Sequence, residues 1–409
     1  MKKNLYLTGI FVAVVILLWV GIFLWKNLRG SAPAFFAPEE NIADLLPSSE
    51  EESKAKNEAP KDGENRTDFP LKLPEGFRIS VFAKNLTGAR VMIFDSFGNM
   101  WVSRSSEDVV TQLEIQDGKV VRQNDVLVGL NNPHGLALDP DQPSLLYIGE
   151  ENKITKIALY SDGGYEKIAD LPSGGGHSTR TLLFGPDKKL YVSSGSSCNV
   201  CVEKDARRAT IYSLNRDGSD FREFSGGLRN SVFMTINPRT NEIWATEMGR
   251  DLLGDNIPPD EINIISEGKN YGWPYCYGKK VHDSNFDPTG AKIEFCRTAQ
   301  SSLIDVPAHS APLGLTFLSN SKLPEEYRND LLVSYHGSWN RSTPTGYKVV
   351  RHKFDEQGNY EGVEDFITGW LTGENALGRP VDILESKDGR IYISDDKAGI
   401  IYLVEHVGE

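Results

Sequence analysis

The sequence predicts an all-β, six-bladed β-propeller preceded by an N-terminal transmembrane helix and a disordered linker. The propeller rests on a phrase that recurs six times: an apolar run, a turn, then a strand ending in a small or polar residue. Its last part reads Met100-Trp101-Val102-Ser103, Leu146-Tyr147-Ile148-Gly149, Leu190-Tyr191-Val192-Ser193, Ile243-Trp244-Ala245-Thr246, Leu331-Leu332-Val333-Ser334 and Ile391-Tyr392-Ile393-Ser394. Self-similarity at a spacing of about 45 residues marks a propeller-type array. Further strands follow, such as Ile154-Thr155-Lys156-Ile157 and Thr210-Ile211-Tyr212-Ser213-Leu214, and several β segments in each of six units make six blades. The helix rests on an apolar run near the start, the linker on the polar stretch after it.

From Leu5 to Trp25 the chain is apolar, relieved only by Thr8, Gly9 and Gly21. That length spans a bilayer as a helix and exceeds the apolar core of an ordinary signal peptide. Tyr6, Trp19 and Trp25 stand where interfacial aromatics lie. Lys2 and Lys3 precede the run, and Lys26 and Arg29 follow it. Residues 1–29 therefore read as an uncleaved signal anchor, membrane-anchored with the propeller extracytoplasmic, periplasmic or extracellular. Cleavage after Ala32-Pro33-Ala34 is the alternative. Residues 30–68, with Ser48-Ser49-Glu50-Glu51-Glu52-Ser53 at their centre, carry almost no core-forming side chains and read as a solvated tether. Residues 69–409 form the propeller, with no room for a second large domain.

The four cysteines suit an oxidising compartment. Cys198 and Cys201 form a C-x-x-C with no following histidine and no second C-x-x-C, which excludes haem attachment and a zinc site. Disulfides Cys198–Cys201 and Cys276–Cys296 are expected. A net charge of −13 argues against nucleic acid as a partner.

Against that acidity, the starts of the inner strands are basic: Arg90, His134, His177 with Arg180, Arg229-Asn230, His309 and Arg379. Converging cations in a concave, partly dry site call for an anion, unless each arginine pairs with a nearby carboxylate such as Asp382 or Asp251. The segment from Glu247 to Glu261 is rich in Gly, Pro and oxygen ligands, of the kind that hold Ca²⁺; a solvated acidic loop looks much the same. His336-Gly337-Ser338-Trp339-Asn340-Arg341 follows the fifth strand copy, where His336 and Trp339 suit a planar ligand. Trp339 plugging the hub is the plainer reading.

These motifs have a family likeness. Gly175-Gly176-His177-Ser178-Thr179-Arg180-Thr181-Leu182, Phe184-Gly185-Pro186-Asp187, Gly227-Leu228-Arg229-Asn230, Asp260-Glu261-Ile262-Asn263, Asn270-Tyr271-Gly272-Trp273-Pro274 and Gly378-Arg379-Pro380-Val381-Asp382 resemble the soluble pyrroloquinoline-quinone (PQQ) sugar dehydrogenases. The sorbosone and pyranose dehydrogenase-like branch is the most similar, from about Leu71 onward. The resemblance implies an enzyme that oxidises an aldose or related sugar or aldehyde by hydride transfer to PQQ, here tethered to a membrane by the N-terminal apolar run. It makes His177 the general base and gives Arg229 the reactive quinone oxygen. Asn230, Arg90, Lys348 and Arg379 become cofactor contacts, joined by His336 and Trp339, and the carbonyls of Gly249 and Arg250 become Ca²⁺ ligands. The glucose enzymes of the family have proline where Arg250 stands, and the insertion from Asp251 to Pro259 lengthens this loop. Without a haem motif, reoxidation falls to an external acceptor, a quinone or a separate cytochrome. A non-catalytic binding or sensor module and a calcium-dependent lactonase-type hydrolase are the competing readings on such a scaffold.

Overall fold

The computed structural model of this chain describes residues 14–19, 63–161 and 163–407. Among the described residues, six of the eight sheets are radial blades, and the other two are short two-stranded hairpins. The first strands of the blades are Ala89–Phe94, Gly135–Leu138, Leu182–Phe184, Met234–Ile236, Pro312–Phe317 and Pro380–Glu385. Each touches the first strand of the next blade, and the sixth touches the first, so the inner strands close a ring. The six recurring phrases are the second strands. They are buried along almost their whole length because both faces of a blade are covered by its neighbours. That double burial is why they read as unbroken apolar runs rather than as alternating strands.

In four of the six phrases the terminal hydroxyl has a structural reason. Ser103 Oγ donates to the His134 carbonyl at 2.8 Å, Thr246 Oγ1 to Leu313 at 2.8 Å and Ser394 Oγ to Arg90 at 2.7 Å. Ser334 Oγ bonds the Val381 carbonyl in the same way. Each hydroxyl thus bolts one blade to the first strand of the next, or to the residue leading into it. The same oxygens accept from their own first strand, as Ser103 does from the Val91 amide at 3.0 Å and Ser394 from Asp382 at 3.0 Å. Buried bonds of this kind contribute about 1 kcal/mol each, and losing a partner costs more than that.

Ring closure is made by the N-terminal strand Phe77–Lys84, which pairs antiparallel with the C-terminal strand Ile400–His406. Outside it lies a short parallel strand, Glu64–Asn65. Ordered structure therefore reaches back to about residue 63, into the expected linker. The Asn65 side chain captures this segment by donating to the Phe69 and Leu71 carbonyls at 2.7 and 3.1 Å, which composition alone does not reveal. The long interval between the phrases at Ile243 and Leu331 holds an insertion in blade four. It contains the hairpin Cys276–Tyr277 with Val281–His282 and a helix, Ile293–Thr298. Both expected disulfides form, Cys198–Cys201 and Cys276–Cys296.

Residues 14–19 of the apolar run are helical and exposed. The rest of the expected anchor, residues 1–29, and the linker up to residue 62 lie outside the described residues. Among the described residues no helix is long and apolar enough to cross a membrane.

Candidate functional site

Because each first strand begins at the ring, the residues leading into it collect at one end of the funnel. Arg90 is the second residue of its strand, His134 and Arg379 immediately precede theirs, and His177, Arg229, Asn230 and His309 lie a few residues before. They do not form the bare ring of cations that the sequence suggests. Arg180 is fully buried and gives its N–H groups to the carbonyls of Pro172, His177 and Thr179 at 2.6–3.0 Å. Its role is to fix the backbone that presents His177. His134 is fully buried against Phe233, and His309 bonds the Gly254 carbonyl at 2.8 Å. Burying a guanidinium without acceptors costs too much for four of them to stand unpaired.

Two groups of residues remain at the funnel. In the first, Asp396 accepts from Arg90 Nη1 at 2.8 Å and from His336 Nε2 at 3.0 Å. Arg379 packs against them, donating to the His336 and Gly337 carbonyls at 3.2 and 2.7 Å. Burial opposes ionisation of Asp396, but the hydrogen bond and charges around it hold its carboxyl well below the usual range. Burial lowers His336 to about 4, so the imidazole is neutral and the ionised partner is Asp396. Two guanidiniums meet the Asp396 carboxylate here, with Asp382 also acting on the Arg90 charge and Asp395 accepting the Arg379 amide at 2.9 Å, and Arg90 Nε is buried without a partner among the described residues.

In the second group, His177 Nδ1 lies 3.0 Å from the Ser196 carbonyl and 2.9 Å from its Oγ. A carbonyl only accepts, so the proton is on Nδ1 and the lone pair on Nε2. Burial, followed by the charge of Arg229, lowers the imidazole to about 3. A Cβ at Gly195 would stand 2.6 Å from His177 Cβ and 2.7 Å from Asn230 Oδ1, so glycine here lets His177 and Asn230 converge. All five N–H groups of Arg229 have acceptors. Nε and Nη2 reach the Asn199 carbonyl and Oδ1 at 2.9 and 3.0 Å, and Nη2 also reaches Asp251 at 2.8 Å. Nη1 donates to the carbonyls of Met248 and Gly249 at 3.3 and 2.8 Å.

That contact leads to the expected metal loop. The Gly249 amide donates to Asp260 Oδ1 at 2.9 Å, while Asp260 Oδ2 accepts from Ala311 at 2.8 Å. A Cβ at Gly249 would meet the Pro259 carbonyl at 2.7 Å, so the tight loop requires glycine there. Arg250 turns its side chain into a buried ion pair with Asp283 at 2.5 Å, leaving its backbone to face the loop's surroundings. A cavity beside the loop is lined by Arg229, Glu247, Gly249, Arg250 and Glu261, among others. Burial raises Asp260 and Glu261 to about 7 and Glu247 well above its usual range. Among the described residues, the one close group of metal-ligating side chains is Cys198, Cys201 and Glu203, whose sulfurs are already bonded to each other.

A family profile described as TrAA12-like matches residues 71–407, nearly all of the described propeller. The chain belongs to the TrAA12-like family. An uncharacterised protein of Borreliella burgdorferi is 33% identical over 355 residues, covering 82% of this chain and 90% of that one. The pyrroloquinoline quinone-dependent pyranose dehydrogenase of Coprinopsis cinerea is 23% identical over 83% of this chain, which spans 55% of that protein's length. A calcium structure of a Trichoderma reesei Carbohydrate-Active Enzymes Family AA12 protein has the same fold, with a TM-score of 0.72 and 21% identity. It covers 84% of this chain and 100% of its own.

In this TrAA12-like chain, two of the expected residues stand apart from the two groups. Trp339 is 72% exposed at the rim, beside Asn340, whose Nδ2 donates to Asp251 at 3.0 Å. It does not plug the hub. Lys348, at the start of a third strand, pairs with Asp365 on the outer strand at 2.5 Å. Sequence reasoning misses Asp396, which stands two residues after the sixth phrase and organises the first group. It names Asp251 as a possible counter-ion, and that residue does pair with Arg229. Asp382, named beside it, accepts instead from the Met92 and Ile383 amides.

Proposed function

We propose that this chain is a PQQ- and Ca²⁺-dependent dehydrogenase of an aldose or related sugar, held at a membrane by the run from Leu5 to Trp25. The support is the family membership together with one observation. His177 is a neutral, partly exposed imidazole whose Nε2 has no protein partner among the described residues, placed beside Asn230 and Arg229 at the end of the funnel where Arg90 and Arg379 also stand. The likeness to the Coprinopsis pyranose dehydrogenase and to the Trichoderma calcium structure points the same way.

The residues fit a planar tricarboxylate. Arg90 and Arg379 stand together at the Asp396 carboxylate, and Arg90 Nε is a buried donor without a partner among the described residues. Lys348 is available as a further cation if it exchanges Asp365 for a ligand carboxylate. His336 and Trp339 would border the ligand. The residues also fit a hard cation. The Gly249 carbonyl accepts from Arg229 Nη1, while Nη2 of the same guanidinium reaches the Asp251 carboxylate, and carbonyl and carboxylate oxygens of this kind suit Ca²⁺. Arg229 spends an N–H on that same carbonyl, so a cation there would release Nη1 toward the funnel.

When bound, PQQ supplies the hydride acceptor and Ca²⁺ a Lewis acid. The chain's own part is as follows. His177 Nε2 accepts the hydroxyl proton of the substrate as hydride leaves the same carbon, while Ser196 holds Nδ1–H and so the ring's orientation. Arg229 stabilises negative charge as it develops on the acceptor. Asn230 fixes the ligand edge beside His177. The low proton affinity of His177 comes from burial and from Arg229, and a bound anion would offset the latter. Reoxidation would fall to an external acceptor, a quinone or a separate cytochrome.

The test is dye reduction by the purified chain with PQQ, Ca²⁺ and a panel of aldoses. Sugar-dependent reduction that needs both additions supports the reading. Reduction unchanged by chelation and without PQQ would overturn it.

A further inference from the structure

The small disulfide loop from Cys198 to Cys201 belongs to no recurring strand phrase. It is nonetheless linked to both candidate catalytic side chains, to His177 through Ser196 and to Arg229 directly. Ser196 Oγ donates to the Cys198 carbonyl at 2.6 Å, which turns the oxygen's lone pairs toward His177 Nδ1. The next residue, Asn199, receives the Nε–Nη2 edge of Arg229 on its carbonyl and Oδ1, at 2.9 and 3.0 Å. A guanidinium edge held by two oxygens at once is fixed in plane as well as in distance. The same Oδ1 accepts from the Asp251 amide at 2.7 Å, and Asn199 Nδ2 donates to the Asp251 carbonyl at 3.0 Å. Asn199 therefore ties Arg229 to the loop that carries Gly249. The base of the turn is clamped by Glu203, which takes the Ser197 amide and hydroxyl at 2.6 and 2.8 Å.

We infer that the Cys198–Cys201 loop is a positioning element of the site, with Asn199 setting the orientation of Arg229 and of the Asp251 backbone. This deepens the proposed function and rests on it for the meaning of Arg229. The disulfide restricts the backbone around Asn199, so its carbonyl and side chain stay aimed at one target. Asn199 touches no reacting atom in this account and acts through Arg229.

The test is a double-mutant cycle on PQQ binding, read by absorbance titration with Ca²⁺, in proteins first checked for an unchanged fold by circular dichroism. N199A is expected to weaken PQQ about tenfold, and R229A to weaken it at least as much. N199A added to R229A should change affinity by less than about twofold, because the residue it orients is gone. C198S/C201S should reproduce the N199A loss. Wild-type affinity in N199A, or a full tenfold further loss in the double variant, would overturn the inference. Should the wild-type chain bind no PQQ, the proposed function fails by itself. A crystal structure of N199A then decides the positioning: Arg229 displaced from its Asn199-bound pose supports it, and Arg229 unmoved overturns it.

Discussion

Asp396→Asn separates the two things that the first group of residues does. The carboxylate is 19% exposed and serves Arg90 and His336 at 2.8 and 3.0 Å, with Arg379 alongside. Removing the charge leaves Arg90 without its counter-ion. A fully buried broken pair costs about 3–5 kcal/mol, and the residual solvent contact brings this to about 2–3 kcal/mol. Unfolding entropy of about 2.1 cal/mol/K per residue gives roughly 0.7 kcal/mol/K for a domain of about 340 residues. The melting temperature of the ligand-free protein should therefore fall by about 3–4 °C. Anion binding should move the opposite way. One more net positive charge, about 8 Å from a ligand carboxylate at an effective dielectric of about 20, is worth about 2 kcal/mol, or roughly thirtyfold in affinity. Differential scanning calorimetry and PQQ titration of the same preparation read both quantities. Loss of stability together with loss of PQQ affinity would refute the reasoning, because the group would then be a structural ion pair and not an anion receptor.

Replacing His177 with Ala should lower sugar-dependent turnover by about 10²–10⁴-fold, the range of a general base, and leave PQQ affinity within about threefold; equal loss of both in titration and steady-state kinetics would remove it as the base. In the ligand-free protein the His177 pKa is lowered to about 3, so the ring should stay neutral and Nδ1-protonated at pH 5, as long-range ¹⁵N correlation spectra report; titration near 6.5 would contradict its environment. Ser394→Ala strips partners from the Arg90 carbonyl and the Asp382 amide and should cost about 2 kcal/mol, seen as about 3 °C in thermal melts. C276S/C296S opens a link with a sequence separation of 20, a loop worth about 3 kcal/mol, and should lower the melting temperature by about 4 °C.

The fold is legible in the sequence because propeller blades bury their second strands on both faces. That burial writes Leu-Tyr-Val-Ser-like phrases with terminal hydroxyls, and the hydroxyls turn out to be the bolts between blades. Counting from those phrases finds the positions that lead into the first strands, and so picks out His177, Arg229, Asn230, Arg90 and Arg379. What those residues touch cannot be found that way. Arg90 and Asp396 are brought together by ring closure across 306 positions, and Asn199 meets Asp251 across 52. Local pattern carries no trace of such pairs. The outer strand Glu64–Asn65 escapes for a different reason: polar side chains pair through their backbones as readily as apolar ones, so composition reads them as tether.

Equilibrium titration of PQQ into the ligand-free full chain, with and without Ca²⁺, followed by a pyranose, tests the account where it is most exposed. Saturable binding that strengthens with Ca²⁺, and bleaching of the quinone absorbance on addition of sugar, is the expected result. Absence of binding at any Ca²⁺ concentration would contradict it and leave the positive charge around Arg90 and Arg379 to a different anion.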